Sequence, residues 1–174
     1  ALAPVGTVRW EFDASPSPPG FQSPDCSLNV NNGKDLACGP GQQSIAAMAD
    51  SPWLEASGIA KGAALRLRFG TAGVWSSQVA KVRAKAKDAP AWTEVATVPP
   101  SPSWTVQMVD LSPWAGMKFQ VRFEFTGPCG GAGTGWFIDD LTVAVDPCVN
   151  NNGGCGDQTC SMGADAKPAC NACP

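Results

Sequence analysis

Between positions 118 and 125 the chain reads Lys118-Phe-Gln-Val-Arg-Phe-Glu-Phe125, a strict alternation of polar and apolar side chains. A β-strand has a side-chain period of two. It therefore places Phe119, Val121, Phe123 and Phe125 on one face and Lys118, Gln120, Arg122 and Glu124 on the other. A ribbon that is apolar on one side must bury that side against a second layer. The same rhythm returns at Val8–Asp13, Ala63–Phe69, Gln78–Ala86, Trp92–Ala96, Trp104–Leu111 and Trp136–Val145, and a short strand after Cys26 runs into a turn at Asn32-Gly33. Gly, Pro and Ser clusters separate these runs, as at Ser15–Gly20, and no stretch offers a capped helix of about ten residues. This pattern predicts an all-β, antiparallel jelly-roll β-sandwich.

At Asp146-Pro147-Cys148 the character changes. Of the eight cysteines among 174 residues, five fall in the last 27, a segment with too few apolar side chains for a core. The expected organisation is a sandwich over 1–146 and a short disulfide-rich C-terminal tail over 147–174. Cysteines in Gly-, Asn- and Pro-rich loops point to disulfides and an oxidising compartment, hence to a secreted or cell-surface protein. Cys38 closes the loop that begins at Cys26, and a Cys26–Cys38 bridge there would contribute about 3 kcal/mol by loop entropy. Zinc is the competing use of the tail. It wants four ligands in two close pairs, whereas only Cys170-x-x-Cys173 is such a pair and the chain holds no His. The chain begins at Ala1 without a signal peptide, as expected of a mature or excised fragment. No apolar run reaches the roughly 18 residues of a membrane span.

Several activities are disfavoured. The absence of both His and Tyr removes the commonest general base and metal ligand. Net charge is −3, and the basic cluster Lys81, Arg83, Lys85 and Lys87 alternates, which reads as the wet face of a strand rather than a nucleic-acid surface. Gly130-Gly-Ala-Gly133 does not precede a helix and is no phosphate cradle. In a regular strand Asp139 shares a face with Phe137, Leu141, Val143 and Val145, and Asp140 shares the other with Trp136 and Ile138. Either way one carboxylate faces apolar surroundings and needs a cation or several hydrogen bonds. Adjacent strand residues point apart, whereas glycosidase carboxyls face each other about 5–10 Å apart. No catalytic set is expected. Trp10, Trp92, Trp104 and Trp136 sit in strands and are assigned to core or strand pairing. Trp53, Trp75 and Trp114 lie in loops and are candidates for ligand or interface contacts, the alternative being that they cover the sandwich ends.

The segment Gly135-Trp-Phe-Ile-Asp-Asp-Leu-Thr-Val143 resembles the closing strand of jelly-roll modules that include MAM-like domains, reelin sub-repeats and carbohydrate-binding modules. Trp10-x-Phe-Asp13, Ser27-Leu-Asn-Val-Asn-Asn-Gly33 and Val109-Asp-Leu-Ser112 support the likeness over residues 8 to 145. The resemblance implies structural calcium, with Asp139 as first ligand and Asp140, Asp13, Glu11 and Asp35 as candidates. The alternative is that loop amides satisfy these carboxylates and no ion is present. The tail resembles an EGF-like module through Cys148-x-Asn-Asn-Asn-Gly-Gly-Cys155, yet carries five cysteines (Cys148, Cys155, Cys160, Cys170, Cys173) where that family has six. Either the unit is truncated or Cys129 pairs into it; three cysteines in the body and five in the tail favour a bridge from Cys129. The expected function is a secreted, non-catalytic structural or adhesive module, a repeat of a cell-surface protein or a self-assembling subunit of an extracellular filament, that meets a protein or glycan at the cell surface, or copies of itself. A carbohydrate-binding module of a secreted hydrolase is the alternative.

Overall fold

The aromatic row of residues 119–125 lies between two sheets. The computed structural model describes residues 3–4, 9–10, 28–30, 34–37, 43–129, 135–149, 151–156 and 158–171, with side chains described from residue 43 onward except at position 151. In chain order the strands are β1 (Ala3–Pro4), β2 (Arg9–Trp10), β3 (Leu28–Val30), β4 (Lys34–Ala37), β5 (Ser44–Asp50), β6 (Leu54–Glu55) and β7 (Leu65–Val74). They continue with β8 (Val79–Ala86), β9 (Thr93–Val98), β10 (Ser101–Asp110), β11 (Lys118–Pro128), β12 (Gly135–Val145), β13 (Thr159–Met162) and β14 (Pro168–Asn171). The first sheet runs β1-β6-β11-β8-β9, with β5 also on β11; the second runs β10-β7-β12-β4-β3, with β2 also on β12. All pairings are antiparallel except the two-residue contact of β1 with β6. Successive strands β10, β11 and β12 alternate between sheets, which gives the jelly-roll sandwich expected from the alternation. Of the expected strand at Val8–Asp13 only Arg9–Trp10 is described, and Cys26, Cys38 and the Asn32-Gly33 turn lie outside the described residues.

Leu65, Leu67 and Phe69 of β7 and Trp136, Ile138, Leu141 and Val143 of β12 meet Phe119, Val121, Phe123 and Phe125 of β11 in the core. Phe123 is edge-on to Phe69 at 5.2 Å and tilted against Trp136 at 5.7 Å. The Trp136 indole N–H donates to Thr71 Oγ1 at 2.7 Å, so the largest buried ring carries no unsatisfied polar atom. Trp136 pairs with Gly73, whose φ is +145°. A Cβ there would stand 2.1 Å from the Gly135 carbonyl oxygen, so only glycine fits. Strand β5 goes beyond what the sequence pattern predicts, because its sequence Ser-Ile-Ala-Ala-Met-Ala-Asp is alanine-rich and of low β-propensity. Ile45, Ala47 and Ala49 nevertheless face the core, where small side chains leave room for the phenylalanines of β11.

The tail is held by Cys148–Cys160 and Cys155–Cys170. Cys129 is disulfide-bonded too; Cys173 lies outside the described residues. The β13–β14 hairpin packs on the outer side of the second sheet, where Thr142 Oγ1 donates to the Ala164 carbonyl at 2.6 Å. Thr142 and Ala144 point away from the core yet are buried, as are Met162 and Cys155.

Two outcomes are expected. Phe123→Ala should lower unfolding stability by about 3–5 kcal/mol in a urea titration, since it empties a ring-sized space between the sheets. Replacing Cys155 and Cys170 together by Ser opens a bridge of sequence separation 15. Amide exchange in β13 and β14 should then quicken about a hundredfold, while that of β11 stays unchanged.

Candidate functional site

The outer faces of the two sheets differ. On the first, the alternating bases of β8 are engaged: Lys81 Nζ is 2.8 Å from Glu94 Oε2, and Arg83 Nε is 3.2 Å from Glu124 Oε2. Arg122 forms a two-pronged pair with Asp50, at 2.6 and 2.7 Å. Trp92 lies against this ladder, with Arg122 Cζ 4.3 Å and Lys85 Nζ 5.5 Å from its ring. Opposite charges alternate so closely here that the face offers no continuous field to a polyanion.

On the second sheet the regular alternation breaks at Asp139-Asp140. From Asp139 to Thr142 β12 advances three residues while its partner β7 advances two, from Gly70 to Arg68. Asp140 absorbs the extra residue with a φ of +52°. The expected division of faces is therefore corrected: Trp136 and Ile138 before the bulge and Leu141 and Val143 after it all face the core. Neither aspartate is fully buried, and Asp139 Oδ1 accepts the Asp140 amide at 2.8 Å. A bulge thus relieves the burial that a regular strand would have imposed on one carboxylate.

Beside the bulge runs the edge strand β10. Its side chains Trp104, Val106 and Met108 share the outer face and are 50%, 54% and 43% exposed. Of the two roles expected of Trp104, the core is excluded and packing on the paired strand is kept: β10 is an edge strand with one neighbour, and Trp104 lies over that neighbour, β7, instead of pointing inward. Its Cε3 lies 3.6 Å from where a Cβ on Gly70 would stand, so the absent side chain lets the ring lie against the sheet. Along the same face Met108 pairs with Arg68, and Val106 with Gly70. Where β10 and β7 approach the tail, a cleft of about 400 Å³ opens, lined by Arg68, Val106, Met108, Asp146, Ser161 and Met162.

The loop tryptophans are placed differently. Trp75 is half-buried and edge-on to Phe125 at 5.4 Å. Trp114 is half-buried in the turn Ser112–Trp114 and, like Trp75, packs on the core. Trp53 is half-buried between β5 and β6. For the proposed ion, β12 pairs with β4 so that Asp35 lies opposite Phe137, while β2 lies opposite Leu141 and Thr142. Glu11 and Asp13 lie outside the described residues. Among the described residues no three His, Cys, Asp or Glu side chains converge to hold a metal, and no helix is long and apolar enough to cross a membrane.

No protein-family model matches the chain, and no curated protein matches it. Solved structures do. A mutant of a family 29 carbohydrate-binding module aligns at a TM-score of 0.51 and 16% identity, over 79% of this chain and 89% of its own. Another mutant of that module, complexed with mannohexaose, aligns at 0.50 and 19% identity over 82% and 95%. A cleaved adhesin domain of Lys-gingipain from Porphyromonas gingivalis aligns at 0.53 and 16% identity over 79% and 97%. What the chain shares with these proteins is the β-sandwich fold.

Proposed function

We propose that this chain is a secreted, non-catalytic binding module that holds a glycan on the outer face of the second sheet. The observation that carries the reading is the row Trp104, Val106 and Met108, left open to solvent while Trp75, Trp114 and Trp136 pack on or in the core. An exposed indole beside smaller apolar groups offers a flat surface to the C–H face of a pyranose. The polar groups of the neighbouring cleft can meet its hydroxyls. A module of like fold complexed with mannohexaose supports the choice of ligand, and the disulfides support the compartment.

The adhesin domain of like fold favours a second reading, an adhesive module whose β10 row meets a protein or a second copy of this chain. Sedimentation separates the two: a monomer at high concentration that is retarded on a polysaccharide gel fits the first and opposes self-association. Trp104→Ala should weaken glycan binding by about 2 kcal/mol, roughly thirtyfold, without lowering the melting temperature. If no polysaccharide retards the wild-type protein, the glycan reading falls.

Calcium at Asp139 remains part of the proposal. The described residues do not complete such a site, so an ion there would need oxygens from Glu11, Asp13 or Asp35. Its role would be to pin β12 to the amino-terminal strands. A melting midpoint that falls with chelator and recovers with calcium supports it, and an unchanged midpoint removes it.

A further inference from the structure

Two arginines occupy alternate outward positions of β7 and meet opposite fates. Arg66 is matched: its Nη1 donates to Asp110 Oδ1 and to Ser112 Oγ at 3.2 Å, and its Nε lies 3.7 Å from Asp146 Oδ2. The Asp110 carboxyl is held below its usual range, first by the Ser112 hydroxyl, which outweighs the opposing effect of burial, and further by the Ser112 amide and the Arg66 charge. Arg68 is unmatched. Among the described residues it has no ion pair, and its Nη1 is buried without a hydrogen-bond acceptor. Among the described residues Asp146 is the one carboxylate lining the same cleft, and it is turned to Arg66 and to the Cys148 amide at 2.9 Å.

Nη1 itself is closed to solvent, but Arg68 is half-buried and lines the cleft with no ion pair among the described residues, so an acceptor arriving in the cleft meets an unneutralised charge. A carboxylate matches the planar fork of arginine and neutralises it, which a sugar hydroxyl does not. The apolar wall beside Arg68 is Met108 and Val106, and the row continues to Trp104, about 14 Å along β10 by strand rise. One charged seat thus adjoins an apolar track. The cleft's volume of about 400 Å³ falls at the small end of ligand pockets, which run to about 1,000 Å³.

We infer, building on the glycan reading above, that the cleft selects an acidic glycan: the carboxylate of a uronate residue seats on Arg68, and the sugar's apolar face lies along Met108 and Val106 toward Trp104. The net charge of −3 opposes any general attraction of polyanions, so a preference for acid must come from this local seat.

The test is calorimetric titration of the full chain with hexagalacturonate and with mannohexaose, using wild type, Arg68→Gln and Arg68→Lys. Wild type should bind the acidic oligosaccharide about tenfold or more tighter than the neutral one. Arg68→Gln should erase that preference, and Arg68→Lys should keep part of it. Mannohexaose binding as tight as that of the acid, or acid binding untouched by Arg68→Gln, overturns the inference. If mannohexaose alone binds and Trp104→Ala abolishes it, the glycan reading stands and the acidic ligand falls. If neither sugar binds, the acidic seat falls, and retardation on a polysaccharide gel still decides the glycan reading. Should Arg68→Gln fail to fold, salt dependence of the wild type decides: affinity for the acid must drop with added salt while affinity for mannohexaose holds, and equal responses refute the seat.

Discussion

The structure depends on the meeting of Phe69, Phe123, Phe125 and Trp136 between the sheets. These rings come from one sheet by way of β11 and from the other by way of β7 and β12. Each is fully buried, and contact distances of 5.2 to 6.4 Å join them into one cluster. Such a cluster sets the spacing of the layers and the inward register of three long strands. A one-residue slip in β11 would turn four apolar side chains to water and four polar ones to the core. The Trp136–Thr71 hydrogen bond fixes the tilt of the largest ring and lets a polar atom sit at the centre without cost.

With the interior committed, function falls to the outer faces, and these are divided. The first sheet is covered by its own ion pairs and by the contact of Trp92 with Arg122. Such pairs add little stability each, but they leave few groups on that face seeking partners. The second sheet is covered by the disulfide-bonded hairpin on one side and left open on the other. Burial of Thr142 and Ala144 under the tail, beside exposure of Trp104, Val106 and Met108, creates a step in the surface, and the cleft lies along it. The tail thereby shapes the candidate site as well as covering part of the sheet.

Much of this was legible in the chain. The Lys118–Phe125 alternation specified both faces of β11, and the spacing of Lys81, Arg83 and Lys85 specified the wet side of β8. Three features were not legible, each because tertiary context decides it. Strand β5 is built of alanines that have little preference for extended backbone and are recruited by the rings opposite. The bulge at Asp139-Asp140 adds one residue to a strand whose spacing otherwise looks regular. The available signal was two aspartates, a residue type that tolerates left-handed backbone, in the middle of an apolar run. The exposure of Trp104 depends on β10 being an edge strand, and strand order cannot be read from periodicity. The docking of the tail left only a faint trace, the small residues Thr142 and Ala144 in the outward row of β12.

The most direct measurement is a magnetic-resonance titration that follows the indole N–H signals of the tryptophans as oligosaccharide is added. Trp104 should shift with saturating dose dependence, accompanied by the Met108 methyl and the Arg68 side chain, while Trp92 and Trp136 stay still. Shifts confined to Trp53, Trp75 or Trp114, or to the ion-paired face around Trp92, would place the binding surface elsewhere and contradict the assignment of function to the open side of β10.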